Sequence, residues 1–143
     1  MQEILGFFGL PPADQPIGFV DVGTRRVLEV AACVAARPVV AFLDEPAAGL
    51  GQEETDALAE HIREIPARFG CAVVLIEHDV DLVAAVSSHI TVLEFGRVIA
   101  GGPPHEVLTN DAVKAAYLGI EPDDDLDEVV AAAAVIKIEE STT

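Results

Sequence analysis

The chain has 143 residues and a formal net charge of −17, and it is 51% hydrophobic but only 5% aromatic. This length suits one domain of ordinary size, or a piece of a larger one, with a core of aliphatic side chains. The charge argues against nucleic acid and anionic membrane surfaces as partners, because long-range attraction would have the wrong sign. No uncharged apolar run approaches the roughly 20 residues of a membrane-spanning helix, so we expect no direct insertion into a bilayer.

The first part of the chain predicts two helices. Residues 2–9 predict a short helix, which P-P-A-D-Q-P then breaks. Apolar residues recur at helical spacing in residues 24–36 and predict a longer second helix. Gly23 and Thr24 lie just before its apolar face, where the start of a helix offers free backbone N–H groups.

The central stretch of the chain reads P-V-V-A-F-L-D-E-P. The unbroken apolar run of residues 39–43 predicts a parallel strand that is buried on both faces of its sheet. Asp44 and Glu45 follow at the carboxyl end of this strand, where open α/β sheets place their binding sites, and Pro46 stops it. Two adjacent carboxylates at such a position are costly unless a cation or a ligand uses them. The stretch therefore indicates a nucleotide site.

The rest of the chain alternates between helices and strands. A helix over about residues 52–68, the strand C-A-V-V-L-I, a helix over about residues 79–87 and the strand I-T-V-L-E-F follow in order. A hairpin then turns at Gly96, and two short helices follow, P-H-E-V-L and D-A-V-K-A-A-Y-L. This order predicts an α/β fold, with a mostly parallel sheet flanked by helices and a C-terminal β-hairpin with short helices.

The last 23 residues, 121–143, differ in composition from the rest. They contain the acidic stretch P-D-D-D-L-D-E and then the low-complexity stretch V-V-A-A-A-A-V-I-K-I. A marginal helix, a strand and a disordered tail all remain open for this segment, and we assign it no function.

Four motifs stand in a specific order: G-T-R-R, L-D-E-P, I-E-H-D and the loop G-R-V-I-A-G-G-P-P-H-E-V. In this order and spacing they resemble the carboxyl-terminal half of an ATP-binding cassette (ABC) ATPase, which has a P-loop NTPase core. The stretches V-G-T-R-R-V-L-E-V-A and D-E-P-A-A-G-L, and the closing Y-L-G, most resemble the branched-chain amino acid importer group. The resemblance covers roughly residues 1–120, so we expect residues 1–120 to form the C-terminal part of an ABC ATPase domain and residues 121–143 to form a tail.

The resemblance assigns roles to three residues. Asp44 is implied to be the Walker B aspartate, which holds Mg²⁺ through water, and Glu45 the carboxylate that orients and polarises the attacking water. His78 is implied to be the switch histidine that contacts the γ-phosphate of ATP. These roles suit phosphoryl transfer, which needs a positioned water and neutralised charge. The alternatives are a solvated strand end for the two carboxylates and a polar cap for His78.

The resemblance also places Gly23 and Thr24 in the family's signature loop. In the family this loop, at the start of a helix, binds the γ-phosphate of ATP held by the opposite subunit, and the N–H groups of a helix start suit a phosphate. This sequence departs from the pattern because Asp21 stands where the family usually has serine. A carboxylate there adds like-charge repulsion toward a triphosphate in place of a hydrogen-bond donor.

Two further parts of an ATP site are altered or missing. Ala48 and Gly49 are implied to belong to the D-loop, but Gly51 stands where the family usually has aspartate or asparagine. A P-loop, G-x-x-x-x-G-K-[ST], is absent, because neither Lys114 nor Lys137 follows a glycine. We therefore expect no tight ATP binding by the chain alone. We also expect an exposed sheet edge, which invites aggregation or pairing with another chain.

The cysteines and the remaining histidines carry no motif. Cys33 and Cys71 lie in apolar runs without C-x-x-C spacing, which favours two buried, reduced thiols over a disulfide. His61, His89 and His105 lack the context of a site and are predicted to be surface residues.

The function implied by the resemblance is that of the C-terminal part of an ATP-binding and ATP-hydrolysing subunit of an ABC importer. Its substrates would be branched-chain or other hydrophobic amino acids, with ATP and Mg²⁺ bound at the ATPase site. Its partners would be a membrane permease and a second ABC ATPase subunit, at the cytoplasmic face of the cell membrane. The alternatives are a non-catalytic half-cassette that pairs with a complete ABC ATPase subunit, and a truncated, inactive fragment.

Overall fold

A computed structural model describes residues 2–16, 18, 20–118 and 133–136 of the chain. In chain order its helices and strands are α1 (Gln2–Phe7), α2 (Val22–Ala35), β1 (Val40–Asp44), α3 (Gln52–Phe69), β2 (Ala72–Glu77), α4 (Val80–Val86), β3 (Ile90–Glu94), β4 (Arg97–Gly102), α5 (Pro104–Leu108), α6 (Asp111–Val113) and β5 (Ala133–Ile136). A π-helical turn, Lys114–Leu118, continues α6. The acidic stretch of the tail lies outside the described residues.

The described strands form two sheets. In the first, β1 and β2 are parallel, and β5 pairs with the other edge of β2 in the antiparallel direction. In the second, β3 and β4 form the predicted hairpin, which turns at Phe95 and Gly96. Both turn residues have positive φ angles, 45° and 78°, as a two-residue hairpin turn requires. Of the three possibilities left open for the tail, the strand is the one found at residues 133–136.

The predicted exposed sheet edge lies on β1, since β5 covers the far edge of β2 and no described strand pairs with the outer edge of β1. The amide of Ala72 donates to the Val39 carbonyl at 2.9 Å, and the amide of Glu45 donates to the Ile76 carbonyl at 2.8 Å. Because backbone groups alternate in direction along a strand, the N–H and C=O groups of Val40 and Phe42 point to the open edge.

The hydrophobic core lies on one face of β1 and β2, which we call the inner face. It carries the buried side chains of Ala41, Leu43, Val73 and Leu75. These residues form one cluster with buried side chains of α2, α3 and α4, among which Leu58, Ile62 and Ile65 of α3 are fully buried. The apolar spacing of α3 therefore places its buried side against the inner face.

The opposite side of the two strands, the outer face, is exposed along β1 and at the end of β2, whereas Val74 in the middle of β2 is buried. The outer face carries Val40, Phe42 and Ile76, whose exposed fractions are 39%, 71% and 43%, and Val39 beside them is 82% exposed. The prediction that residues 39–43 form a strand buried on both faces is therefore wrong. The physical reason is that the buried side chains of α2, α3 and α4 cluster with the inner face only.

His61 is a second correction, because it is half-buried rather than a surface residue. Its ring stacks on Phe8 with the centroids 5.2 Å apart, and its Nε2 atom lies 3.1 Å from the carbonyl oxygen of Phe7. These contacts tie the end of α1 to α3. His89 and His105 are exposed, as predicted.

The two cysteines are both free, as predicted, but they differ in accessibility. Cys71 is buried and Cys33 is only half-buried. Burial raises the pKa of the Cys71 thiol, and the nearby Cys33 raises it further. A thiol whose pKa is raised has less of the reactive thiolate at neutral pH.

We expect a thiol reagent such as Ellman's reagent to modify Cys33 in the folded chain and Cys71 only after denaturation. The measurement compares the number of thiols titrated with and without denaturant, with Cys33→Ser as the control that isolates Cys71. Rapid modification of Cys71 in folded Cys33→Ser would contradict the burial of this thiol.

None of the described helices combines the length and the hydropathy that a membrane crossing requires.

Candidate functional site

Two loops that follow neighbouring parallel strands meet at the carboxyl ends of those strands. Asp44 ends β1 and Glu45 follows it, while Glu77 ends β2 and His78 follows it. The Nδ1 atom of His78 lies 3.7 Å from the Oε1 atom of Glu45, and both side chains are more than half exposed. The structure thus brings together two of the residues that the motifs singled out, in a place open to a ligand.

The backbone at Glu45 has a conformation that is uncommon for a residue with a side chain. Its φ angle is 45°, in the left-handed region, and the Ala48 amide donates to its carbonyl oxygen at 3.1 Å. Pro46 is buried directly after it, and Gly49 adopts a φ of 81° as the turn closes. The turn fixes the direction in which the Glu45 side chain leaves the sheet.

The chemistry of the donor groups fits a magnesium ion that keeps several of its waters. The Asp44 carboxylate is exposed, and it makes no hydrogen bond or ion pair within the described part of the chain. Mg²⁺ prefers oxygen ligands and is usually held by one or two carboxylates together with water and substrate phosphates. Among the described residues no group of three or more His, Cys, Asp and Glu side chains is arranged to hold a metal ion by itself. Asp44 is therefore suited to contact such an ion through water.

Glu77 is a site residue that sequence analysis missed. It is 3% exposed, its Oε1 atom accepts a hydrogen bond from the Ala47 amide, and its Oε2 atom accepts one from the His78 amide, both at 3.0 Å. The signal was present in the strand alternation, which puts residue 77 on the same face as the buried Val73 and Leu75. A carboxylate on that face needs hydrogen-bond donors, and the two loops provide them.

The start of α2 differs from the expectation of free backbone N–H groups. Asp21 is the N-cap residue, and its Oδ1 atom accepts the Thr24 amide at 2.8 Å while its Oδ2 atom accepts the Thr24 hydroxyl at 2.7 Å. The hydrogen bond from the Thr24 amide, and then that from its hydroxyl, hold the pKa of the Asp21 carboxyl below its usual range. Both polar donors of Thr24 are therefore already used by the chain itself.

Gly23 lies beside a second carboxylate, that of Glu54. A Cβ atom added at Gly23 would overlap with the Glu54 carboxylate, so the glycine permits a close approach that a side chain would prevent. Glu54 also accepts the Gly51 amide at 2.9 Å, at the start of α3. A phosphate at the start of α2 would thus meet two acidic side chains, of which Asp21 occupies the capping position.

The predicted D-loop residues lie in a turn that contacts α2. Ala48 and Gly49 lie in the turn that follows β1, and the carbonyl oxygen of Ala48 accepts a hydrogen bond from the Arg26 side chain of α2 at 3.3 Å. Arg26 also pairs with Glu29 at 2.9 Å. This contact places the turn after Glu45 against the body of α2.

Replacing Asp21 by alanine should lower the thermal midpoint of unfolding, because α2 loses its side-chain cap. The folded-state pKa of Asp21 lies below its ordinary value of 3.8. The stabilisation by its charged form is therefore complete above that value and is lost as the pH falls through the folded-state pKa. Circular dichroism melts at neutral pH and in steps below pH 3.8 should show the difference between the two proteins shrinking. Asp14→Ala, at an exposed turn residue, is the matched control, and an equal effect of both variants would contradict the capping role.

Comparisons with known proteins find similarity to ATP-binding cassette proteins. A family model described as "branched-chain amino acid ATP-binding cassette transporter" matches residues 97–122. The chain is 42% identical over 107 residues to the high-affinity branched-chain amino acid transport ATP-binding protein BraF of Pseudomonas aeruginosa, a match that covers 75% of this chain and 42% of BraF. It is 43% identical over 97 residues to the corresponding protein LivG of Salmonella typhimurium, covering 68% of this chain and 38% of LivG.

The fold matches those of solved cassettes. The ADP conformation of MJ1267, an ATP-binding cassette of an ABC transporter, superposes with a TM-score of 0.71 and 26% sequence identity, covering 80% of this chain and 46% of that one. The resemblance to the carboxyl-terminal half of ABC ATPases of the branched-chain amino acid group is thereby confirmed, as is the partial P-loop NTPase fold. The chain spans less than half the length of the curated relatives it matches.

Proposed function

We propose that this chain is the C-terminal part of the ATP-binding subunit of an ABC importer for branched-chain or other hydrophobic amino acids. Residues 1–120 would be the cassette part and residues 121–143 a tail. The observation that carries the proposal is the meeting of Glu45 and His78, 3.7 Å apart, at the ends of two parallel strands beside the exposed Asp44. The names of BraF and LivG supply the transported class, since both are high-affinity branched-chain amino acid transport ATP-binding proteins.

In this function Asp44, Glu45 and His78 have separate roles in ATP hydrolysis. Asp44 would hold Mg²⁺ through water, and the ion would supply charge neutralisation at the phosphates of ATP. Glu45 orients the attacking water and accepts its proton. His78 turns Nδ1 toward the carboxylates of Glu45 and Glu77, which leaves Nε2 to contact the γ-phosphate. These roles match phosphoryl transfer, in which catalysis rests on positioning and on charge stabilisation.

The rest of the nucleotide site would have to be supplied by residues outside those described. The exposed part of the outer face, with Val40, Phe42 and Ile76, and the open edge of β1 are surfaces that a complete cassette would cover. The proposed partners of the assembled subunit are a membrane permease and a second ATPase subunit, which places it at the cytoplasmic face of the cell membrane through the permease. In such a pair, Gly23 and Thr24 of the signature loop and Ala48 and Gly49 of the D-loop would face the ATP of the opposite subunit.

A second candidate function is that of a non-catalytic half-cassette that pairs with a complete ABC ATPase subunit. The observation that favours it is the start of α2, where Asp21 uses both donors of Thr24 and Glu54 lies against Gly23. Two carboxylates at this position repel a triphosphate, so the ATP of the opposite subunit would be held less tightly than by an uncharged cap.

The test is a titration with a fluorescent ATP analogue in Mg²⁺, with circular dichroism to follow folding. The chain alone should be folded and should show no saturable binding, since it lacks a P-loop. A chimera that joins the N-terminal part of BraF to residues 1–120 should bind the analogue and hydrolyse ATP. A folded chimera that binds but does not hydrolyse would favour the half-cassette, and tight binding by the chain alone would contradict the dependence on a P-loop.

A further inference from the structure

Glu77 is a buried carboxyl side chain at the end of β2. It is 3% exposed, and Thr55 is the only other polar or charged residue that is buried in the described part of the chain. Because side chains alternate between the two faces of β2, Glu77 lies on the inner face with Leu75, which is two residues earlier. Burying a carboxylate is strongly unfavourable unless hydrogen bonds compensate for the lost water.

The two oxygen atoms of Glu77 are divided between the two loops of the candidate site. Oε1 accepts the Ala47 amide from the loop after β1, and Oε2 accepts the His78 amide from the loop after β2, each at 3.0 Å. The donor Ala47 and the acceptor Glu77 are 30 positions apart, so this hydrogen bond joins segments that are distant in sequence. The His78 ring also approaches the carboxylate, with Nδ1 3.5 Å from Oε2.

We propose that Glu77 is a positioning residue that couples the two loops, so that Glu45 and His78 keep a fixed relation to each other. The catalytic role of this coupling rests on the proposed function, whereas the two hydrogen bonds are present in the structure of this chain. Ala47 lies two residues after Glu45, so the hydrogen bond to its amide fixes the turn that holds Glu45 in the left-handed conformation. The bond to the His78 amide fixes the residue that faces Glu45 from the other strand.

A carboxylate suits this position better than any other side chain of its size. Both partners are N–H donors, and a carboxylate has acceptors on both of its oxygen atoms. In Glu77→Gln one oxygen becomes an NH₂ group, which cannot accept, so only one of the two loop amides keeps its hydrogen bond. The substitution therefore releases one loop while preserving the size of the buried group.

The test measures amide hydrogen exchange by NMR in the chain itself. In Glu77→Gln we expect the exchange of either Ala47 or His78 to accelerate at least tenfold, with the other amide and the β2 core amides close to wild type. Leu75→Ala is the control, because it removes core packing from the same strand while leaving the Glu77 carboxylate in place, and it should accelerate exchange throughout the sheet. If both loop amides stay as protected in folded Glu77→Gln as in the wild type, the coupling role is overturned.

A measurement on the unaltered chain keeps the inference testable if the variant does not fold. A hydrogen bond between the Ala47 amide and the Glu77 carboxylate should give a scalar coupling between the Ala47 nitrogen and the Glu77 carboxylate carbon. Absence of this coupling in a well-resolved wild-type spectrum would also overturn the proposal.

Hydrolysis by the chimera separates this inference from the proposed function. If both are right, Glu77→Gln lowers kcat at least tenfold with little change in KM. Normal kcat in Glu77→Gln, in a chimera that Glu45→Gln inactivates, would overturn the positioning role and leave the proposed function standing. A chimera whose hydrolysis ignores Glu45→Gln would instead refute the proposed function, and the exchange experiment would still decide the coupling.

Discussion

Replacing Glu45 by glutamine should lower ATP hydrolysis by the BraF chimera about 10²–10⁴-fold, the range that a general base contributes. Glutamine has nearly the same shape as glutamate but cannot accept the proton of the attacking water. The Glu45 side chain is more than half exposed and lies 3.7 Å from the His78 ring, so we expect the substitution to leave folding intact. Steady-state phosphate release gives kcat, and equilibrium titration with the ATP analogue gives the affinity, which should change little.

The matched control is Glu53→Gln, which removes the same charge from an exposed residue in the first turn of α3. This control separates the loss of a base from the loss of one negative charge in a chain of net charge −17. His78→Ala should also reduce kcat, because it removes the ring that faces the γ-phosphate in the proposed site. A loss of less than tenfold in Glu45→Gln would show that another group activates the water.

Elements whose pattern is decided locally were predicted well from the sequence. The helix expected over about residues 52–68 is α3, Gln52–Phe69, which ends at Gly70 with a φ of 63°. Its apolar spacing and its closing glycine act within a few residues, so the sequence contains the required information. The same holds for the hairpin at Gly96, whose turn depends on two adjacent residues.

Burial of β1 was predicted wrongly because it depends on what covers the strand. The apolar run of residues 39–43 is the same whether one face or both faces are packed, and periodicity alone does not report the second layer. The strand β5 was undecided for a related reason. Its residues, A-A-V-I, come from a low-complexity stretch without a clear period, and the pairing with β2 decides their conformation.

The motifs indicated Asp44, Glu45 and His78 but not the contacts that support them. The hydrogen bond from Ala47 to Glu77 joins two motifs, and no single motif contains both partners. The capping of Thr24 by Asp21 is local, and an N-cap aspartate is a known signal for a helix start. The sequence departure at Asp21 was visible, but its meaning as a cap became clear only from the hydrogen bonds.

Two neighbouring substitutions in β1 should differ strongly in their effect on stability. Leu43→Ala should reduce the free energy of unfolding by about 2–5 kcal/mol, because it leaves a cavity on the packed inner face. Phe42→Ala should reduce it by less than about 1 kcal/mol, since a side chain that is 71% exposed loses few contacts. Urea denaturation of both variants, followed by circular dichroism, measures the two values on the same strand.

The same pair of substitutions also tests what covers the outer face. In the BraF chimera the Phe42 side chain should be buried by the rest of the cassette, and Phe42→Ala should then cost about 3–5 kcal/mol, as for a core phenylalanine. The cost of Leu43→Ala should stay the same in both proteins, because the inner face is packed by the chain itself. A large cost of Phe42→Ala in the chain alone would mean that a second molecule covers the outer face in solution, and analytical ultracentrifugation would detect that association. The difference between the two proteins thus reports how much of the Phe42 surface a complete cassette removes from water.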